Sequence, residues 1–367
     1  MYINFWYPIC KSDELSNEEP LQSKLLGMSY VAFRDSDGAP HVLADTCVHR
    51  GGSLSMGKVI DDCVACPYHG WRFGGDGKCK LVPLLGPDVS PPARAKVDSY
   101  PVEERYGIVF AFLGDLSEEE RPPLYEIEEY NDPAWREHEM IILEVGCYYQ
   151  RSMENGVDPV HNEFVHPAQG FPPMHKDTFR IRDEDWGVRF DAEFGDPVLD
   201  NTTFAKDRNV TGELKAGSWH HGPNVLITSI FVNAASNMVQ YFFEAPIDES
   251  HTKIYFINMR NFVLDPEMDE KVMEVNLRIT SEDIVVLENL YPVRTPDTPT
   301  HELITASDEM IMKYRGWLRS WEQKGWRMDW KALKDGEGDV AYVIPSPARR
   351  NAGNWVLPAV PMVSVDS

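Results

Sequence analysis

The sequence predicts an α+β protein in two parts: an all-β N-terminal domain, then a domain in which long helices close a curved antiparallel sheet. Three observations carry this. The first third breaks into short β-type runs separated by turn signals. A second series of strand-like segments occupies residues 140–262, and two longer segments after it repeat their apolar residues at three- and four-residue intervals. Strands followed by helices within one stretch of chain read as an α+β unit.

From Trp6 to about Leu113 the β-type runs are Ser29–Phe33, His41–Ala44 and Ile108–Phe112, with turns marked by Asp37-Gly38 and Gly74-Gly75-Asp76-Gly77. An acidic, proline-bearing stretch from Ser117 to Pro133 reads as a surface connection. Beyond it, Phe179–Arg182, Val188–Phe194, Val225–Val232, Met238–Glu244 and Lys253–Asn258 form the second strand series. Pro266–Leu290 and Ser307–Gln323 are the helical segments. The tail from Asp335 to Ser367, rich in Pro, Gly and Ala, reads as an extended arm or partly disordered segment. The expected division is therefore 1–118, 119–334 and a tail of 335–367, and no internal repeat is evident.

At 367 residues, with 43% hydrophobic residues, the chain has length for two ordinary domains and material for packed cores. Its net charge of −24 argues against nucleic acid or an anionic membrane as the main partner. No run reaches the length of a membrane span, and the N-terminus lacks a basic leader and a cleavage site. The six cysteines show no disulfide framework, and Cys10, Cys63, Cys79 and Cys147 read as buried free thiols. A soluble protein of the reducing cytoplasm is expected.

Two cysteine-histidine pairs dominate the chemistry: Cys47-Val-His49 and Cys66-Pro-Tyr-His69, separated by sixteen residues. A Rieske 2Fe-2S centre takes two thiolates on one iron and two imidazoles on the other, and each pair can offer one of each from a single tight loop. A structural zinc site is the alternative, but zinc motifs of this composition usually place the cysteines first and the histidines after. Gly51, Gly52, Pro67, Gly70 and Gly74 supply the turns that a loop-held cluster needs.

A second group lies at Asn155-Gly-Val-Asp158-Pro-Val-His161-Asn-Glu-Phe-Val-His166. Asn155, Asp158 and His161 recur every three residues and would track one helix face. His166 would point elsewhere on a regular helix, but Pro159 and Pro167 mark breaks that could bring the imidazoles together. Two histidines five apart are, taken alone, more often incidental than a metal site; a cluster motif upstream changes that weight.

With Cys-Val-His-Arg-Gly-Gly, Cys-Pro-Tyr-His-Gly-Trp-Arg-Phe and Glu-Asn-Gly-Val-Asp-Pro-Val-His, the chain up to about Trp330 resembles the terminal oxygenase components of Rieske non-haem iron oxygenases, especially the homotrimeric carbazole dioxygenase and dicamba monooxygenase group. The resemblance implies a helix-grip-like catalytic domain. It also implies that Cys47, His49, Cys66 and His69 hold the cluster, and that His161 and His166 are two ligands of a mononuclear Fe(II). Asp283 is the best match to the third ligand, with Glu282 and Glu288 as competitors; a plain alternative has Asp283 as a helix-start charge favoured by the macrodipole. Asp158 resembles the carboxylate that bridges the two centres, hydrogen-bonded to His161 and facing His69 of the neighbouring chain. That head-to-tail arrangement implies a homotrimer.

Such an enzyme takes electrons from a ferredoxin or flavin reductase, ultimately from NAD(P)H, and activates O2 at an iron with open positions. An acidic ferredoxin would need a local patch on so acidic a chain, and Arg50, Lys58, Arg72, Lys78 and Lys80 are the candidates. Val157, Phe164, Leu226, Phe231, Ile279 and Leu287 are candidate pocket residues for a small apolar, aromatic substrate. Hydroxylation of an aromatic or related cyclic compound is the leading expectation, with oxidative O- or N-dealkylation next. Competing classes are a Rieske electron carrier fused to a ligand-binding domain and, more remotely, a zinc-stabilised interaction protein.

Overall fold

The computed structural model describes residues 1–166, 172–195, 214–233 and 235–365. The chain forms two units, Met1–Pro123 with Trp321–Ser367, and Leu124–Ser320.

The first unit is built from three antiparallel sheets. Phe5–Lys11, Ile108–Leu113 and Val102–Arg105 form one; Leu21–Leu25, Met28–Arg34, Pro40–Ala44 and Ser99–Tyr100 form the second. The third, Lys58–Ile60, Cys63–Ala65, Arg72–Gly74 and Cys79–Leu81, is a meander of three-residue strands. Val31, Phe33, Leu43, Leu54, Val64 and Phe73 join the second and third sheets through one core, each fully buried. The expected runs at 29–33, 41–44 and 108–112 each fall inside one of these strands.

The C-terminal residues belong to this unit. Residues 335–365 are not a free arm, and the second unit ends at Ser320 rather than at 334. Buried Asp98 receives both guanidinium arms of Arg349 at 2.8 and 2.7 Å and the backbone N–H of Ser346 at 2.9 Å. Tyr100 donates to the Ile344 carbonyl at 2.8 Å. The segment has no hydrophobic period to announce it, because single anchors rather than a repeating face hold it. Residues 366–367 lie outside the described residues.

The second unit centres on an eight-stranded antiparallel sheet. Its order is Arg136–Glu137, Thr252–Arg260, Asn237–Pro246, Val225–Phe231, Leu214–His221, Gly187–Phe194 and Arg180–Glu184, with Ile141–Val145 also paired to Thr252–Arg260. Helix Asp269–Leu287 lies across it: Leu287, Ile284 and Met273 pack with Leu143, Ile254 and Phe256. The helix buries Val272, Asn276, Thr280 and Leu287, a stripe at helical spacing. This is the α+β arrangement the sequence predicts. Leu214–His221 escaped the sequence reading, because Lys215-Ala-Gly-Ser carries neither alternation nor β-branched residues.

Candidate metal centres

The two cysteine-histidine loops close in the same way. The Cys47 carbonyl accepts from Gly51 N–H and the Cys66 carbonyl from Gly70 N–H, both at 2.9 Å, while the cysteine N–H groups donate to Gly52 and Trp71 carbonyls at 2.8 Å. Gly51 and Gly70 sit at φ of +70° and +69°, where a side chain would be strained. Buried Asp45 anchors the first loop, accepting from Gln22 Nε2 at 2.9 Å, Ser53 Oγ at 2.7 Å and Ser55 N–H at 2.6 Å.

Both cysteines are buried in the core of the unit, whereas His49 and His69 are exposed with ring centroids 4.5 Å apart. Trp71 stacks on His49 at 4.5 Å. Slight desolvation by its packed neighbours, then the charges of His69 and Arg50, push the His49 pKa below the usual histidine value, which favours the neutral, metal-binding imidazole. Cys47 and Cys66, buried, and His49 and His69, exposed, on paired loops would supply the two thiolates and two imidazoles that a 2Fe-2S Rieske centre takes, and such a centre would carry single electrons there. Cys10, Cys63, Cys79 and Cys147 are buried free thiols.

In the second unit the chain does not run as one helix through Asn155, Asp158 and His161. Helix Tyr149–Gly156 ends, Asp158 and Pro159 form a turn, and helix His161–Val165 starts anew. The break brings the imidazoles together, with ring centroids 5.3 Å apart and planes at 77°. Asp283 Oδ1 lies 3.7 Å from His161 Nε2 and 3.2 Å from His166 Nε2. One ligand atom from each of the three lies within 4.8 Å of the others, as one metal ion requires. Two imidazoles and a carboxylate from one side leave the opposite positions open, the facial pattern of non-haem Fe(II) sites.

Asp283 stands in the last turns of helix Asp269–Leu287, not near its start. The macrodipole there disfavours a carboxylate, so helix electrostatics do not account for it. Four and three residues after Asn276 and Thr280 respectively come Thr280 and Asp283, so the buried stripe itself carries the carboxylate.

The competing acids have other roles. Glu282 Oε2 meets His166 Nδ1 at 3.0 Å and orients that ring, and Glu288 accepts from Gly146 N–H at 3.0 Å. Asn155 Nδ2 donates to Asp283 Oδ1 at 2.9 Å. His161 Nδ1 lies 2.5 Å from the backbone carbonyl of Asp158, whereas the Asp158 carboxylate accepts from Val160 N–H at 2.8 Å. The expected side-chain hydrogen bond from Asp158 to His161 is therefore a backbone one. Burial raises the Asp158 pKa and lowers that of His161. Burial also lowers His166, but its hydrogen bond with Asp283 and the charges of Asp283 and Glu282 outweigh it, and the net direction is upward.

Residues 5–101 match the Rieske [2Fe-2S] domain and residues 145–324 the C-terminal domain of vanillate O-demethylase oxygenase. Methylxanthine N1-demethylase NdmA of Pseudomonas putida is 28% identical over 86% of this chain and 88% of its own. The oxygenase subunit of 3-chlorobenzoate-3,4-dioxygenase from Comamonas testosteroni is 36% identical over 44% of this chain and 37% of its own. The structure of Pseudomonas putida NdmA with caffeine superposes with a TM-score of 0.72 at 26% identity, covering 99% of this chain and 97% of that one. Dicamba monooxygenase bound to dicamba gives 0.73 over 88% and 97%, a likeness of fold at 22% identity.

The chain belongs to the Rieske oxygenases. It is an oxidoreductase that uses a 2Fe-2S Rieske cluster, a mononuclear non-haem iron and O2, receives electrons from a ferredoxin or reductase, and acts on a small substrate. No helix among the described residues is long and apolar enough to cross a membrane.

A cavity of about 960 Å³, including its mouth, opens on His161, His166 and Asp283 in the oxygenase's second unit. Leu226, Ile279 and Leu287 line it. Val157 does not: it is fully buried away from the cavity wall, and Phe164 and Phe231 are exposed. Phe164 lies on the helix that begins with His161, and that helix turns its histidine inward and this ring outward. The sequence reading missed the polar wall of Ser218, Thr228, Gln240, Glu244 and Asn276. Two polar residues an even four positions apart in strand Asn237–Pro246, Gln240 and Glu244, and so on one face of it, were the available signal.

The expected cationic patch is largely compensated. Arg72 pairs with Asp61, and Lys80 and Lys78 pair with Asp76 at 2.8 and 3.7 Å.

Proposed function

We propose that this oxygenase hydroxylates an aromatic or related cyclic compound bound in the cavity over His161, His166 and Asp283. The observation that carries the reading is the placement of the three-ligand group on the wall of a mainly apolar cavity. When bound, the iron supplies oxygen activation and the cluster supplies electrons one at a time. The protein's own contribution is orientation. Asp158's carbonyl fixes His161, Glu282 fixes His166, Asn155 holds Asp283, and the cavity wall limits which carbon of the substrate faces the ligands.

Cys47, His49, Cys66 and His69 are assigned to the cluster, and His161, His166 and Asp283 to the iron. Asp158 is assigned to the electron path from His69 of a neighbouring subunit. That path is the reason to expect a homotrimer, working in the cytoplasm. The outward placement of His49 and His69 supports such an exit for the electron.

A second reading, oxidative removal of an N- or O-methyl group, is favoured by the vanillate O-demethylase domain match and by the methylxanthine demethylase, which matches over 86% of the chain. The chemistry is continuous with the first, because hydroxylation of a methyl carbon on nitrogen or oxygen gives a product that releases formaldehyde. Incubation of the reduced protein with ring compounds and their N- and O-methyl derivatives under labelled O2 tests both. Label retained in a ring hydroxyl supports the first reading and formaldehyde the second. Turnover of neither kind by protein carrying three irons per chain overturns both.

A further inference from the structure

The polar side chains of the cavity wall mostly satisfy one another. Ser218 and Thr228 share a hydrogen bond of 2.9 Å across paired strands, and Gln240 Nε2 donates to Asn276 Oδ1 at 3.2 Å. Asn276 Nδ2 in turn meets His138 Nε2 at 2.8 Å. Glu244 is the exception. It is fully buried, it lines the cavity, and neither carboxyl oxygen has a hydrogen-bond partner. Its backbone is tied down: the Glu244 N–H donates to the Asn224 carbonyl at 2.8 Å, and Asn224 Nδ2 donates to the Glu244 carbonyl at 3.2 Å. Strand pairing with Ile254 sets it in register beside an apolar neighbour.

A buried polar group without a partner costs on the order of 1–3 kcal/mol, and more if it is charged. Burial pushes the Glu244 carboxyl up to about 8, and Ser152 offsets part of that rise without meeting the geometry of a hydrogen bond. At neutral pH the group is a carboxylic acid, with one O–H donor and one carbonyl acceptor side by side. Among common ring substituents, the edge that pairs with both at once is a lactam, a ring N–H next to a ring C=O.

We propose that Glu244 is a specificity-determining residue of the cavity that selects ring substrates bearing a lactam edge, accepting from the ring N–H and donating to the ring carbonyl. This rests on the reading of the cavity as the substrate site. A site built to hydrogen-bond such an edge rejects an analogue lacking the N–H far more strongly than an apolar wall rejects a change of size, because the carboxyl is then buried unpaired. The neighbouring polar pairs, already satisfied, contribute shape rather than selection.

The test is calorimetric binding to the iron-loaded protein, with 2-quinolone as the probe and N-methyl-2-quinolone and naphthalene as controls lacking the N–H or the whole edge. Wild type binds 2-quinolone at least about tenfold tighter than N-methyl-2-quinolone. Glu244→Gln, whose amide offers the same donor and acceptor pair, keeps the preference. Glu244→Leu binds both quinolones alike. Iron content and the cluster spectrum, measured on each variant, report folding. Equal binding of the quinolones by wild type, a preference that survives Glu244→Leu, or failure of any probe to bind overturns the assignment. Because binding is read without turnover, these outcomes are separable from failure of the oxygenase reading, which would show as missing iron.

Discussion

His161 Nδ1 stands 2.5 Å from the backbone carbonyl of Asp158, three residues earlier, and the Asp158 carboxylate is occupied elsewhere, capping Val160 N–H at 2.8 Å. The turn that breaks the helix at Pro159 therefore also fixes the tautomer of His161, which is proposed to bind the iron, and a side-chain change at 158 need not disturb it. Asp158→Asn retains an acceptor for Val160 N–H, so it is expected to keep three irons per chain. If the carboxylate lies on the electron path, single-turnover transfer from the cluster falls about 10–100-fold. Unchanged transfer would remove the Asp158 side chain from that path.

Substitutions at the ligands separate from those at their supports. His161→Ala and Asp283→Ala each remove one of three donors and should lose the mononuclear iron while the cluster's visible spectrum survives. Glu282→Gln keeps a partner for His166 Nδ1 but removes the charge, so iron is retained with affinity weakened by roughly 10–100-fold. Iron analysis after dialysis against a graded chelator distinguishes the two classes. Equal loss in Glu282→Gln and Asp283→Ala would make Glu282 a ligand rather than a support.

What the sequence reveals here follows from how local each feature is. The cluster loops are legible because all their determinants, ligands and turn glycines, lie within 47–52 and 66–74. Strands such as Gly187–Phe194 and Thr252–Arg260 are legible through their β-type composition. Asp283 was placed on the right helix but near the start of an apolar run rather than in its last turns, because Ile284, Val285, Val286 and Leu287 follow it directly. The roles of Glu282 and Asn155 are invisible locally: their partners lie more than one hundred residues away. Phe164 and Phe231 show the limit of reading a pocket from apolar type alone, because both rings face outward.

Helix Tyr149–Gly156, which carries Asn155, is held by a buried ion-pair network. Arg315 donates to both oxygens of Glu154 at 2.7 and 2.9 Å and to Glu302 at 2.7 Å, and Arg151 completes the network through Glu302 at 2.6 Å. Paired geometry holds the Arg315 guanidinium firmly protonated despite its burial. Arg315→Ala takes the bidentate cation from buried Glu154 and leaves it only Gln150 at 3.0 Å, Thr295 at 3.4 Å and Arg151 at 4.0 Å, so it should destabilise the protein by about 3 kcal/mol. Lowered thermal stability with reduced iron retention is the expected result. Stability within about 0.5 kcal/mol of wild type would show the network to be dispensable.

Glu244 gives a pH signature of its own. Its folded-state pKa is raised to about 8 by burial, while an unfolded chain titrates it in the ordinary glutamate range. Between those two values the folded state holds a proton that the unfolded state has released, so this group's contribution to stability is full at low pH and declines as pH rises toward 8. Glu244→Gln removes the titration. The melting temperature of the variant minus that of wild type should therefore increase from pH 5 to pH 8 and level off above it. A flat difference would mean that Glu244 is not buried as an acid.

The surface around the cluster makes a final prediction, about salt. Five cations, Arg50, Lys58, Arg72, Lys78 and Lys80, lie close in sequence to the cluster loops, but Asp61 and Asp76 pair with three of them. Of these five, only Arg50 and Lys58 are exposed with no ion pair to a described residue. Tyr68 and Met56, next to the loops, are 60% and 74% exposed and offer apolar area instead. Steering by two isolated charges is weak and is screened within about 10 Å at 0.1 M salt, so docking of the electron donor should depend mainly on contact. The second-order rate of cluster reduction by a ferredoxin or flavin reductase should then fall less than about threefold between roughly 0.05 and 0.5 M NaCl, and Tyr68→Ser should slow it more than Lys58→Ala. A steep salt dependence, with Arg50→Ala or Lys58→Ala as the slow variant, would restore the charged patch as the docking determinant.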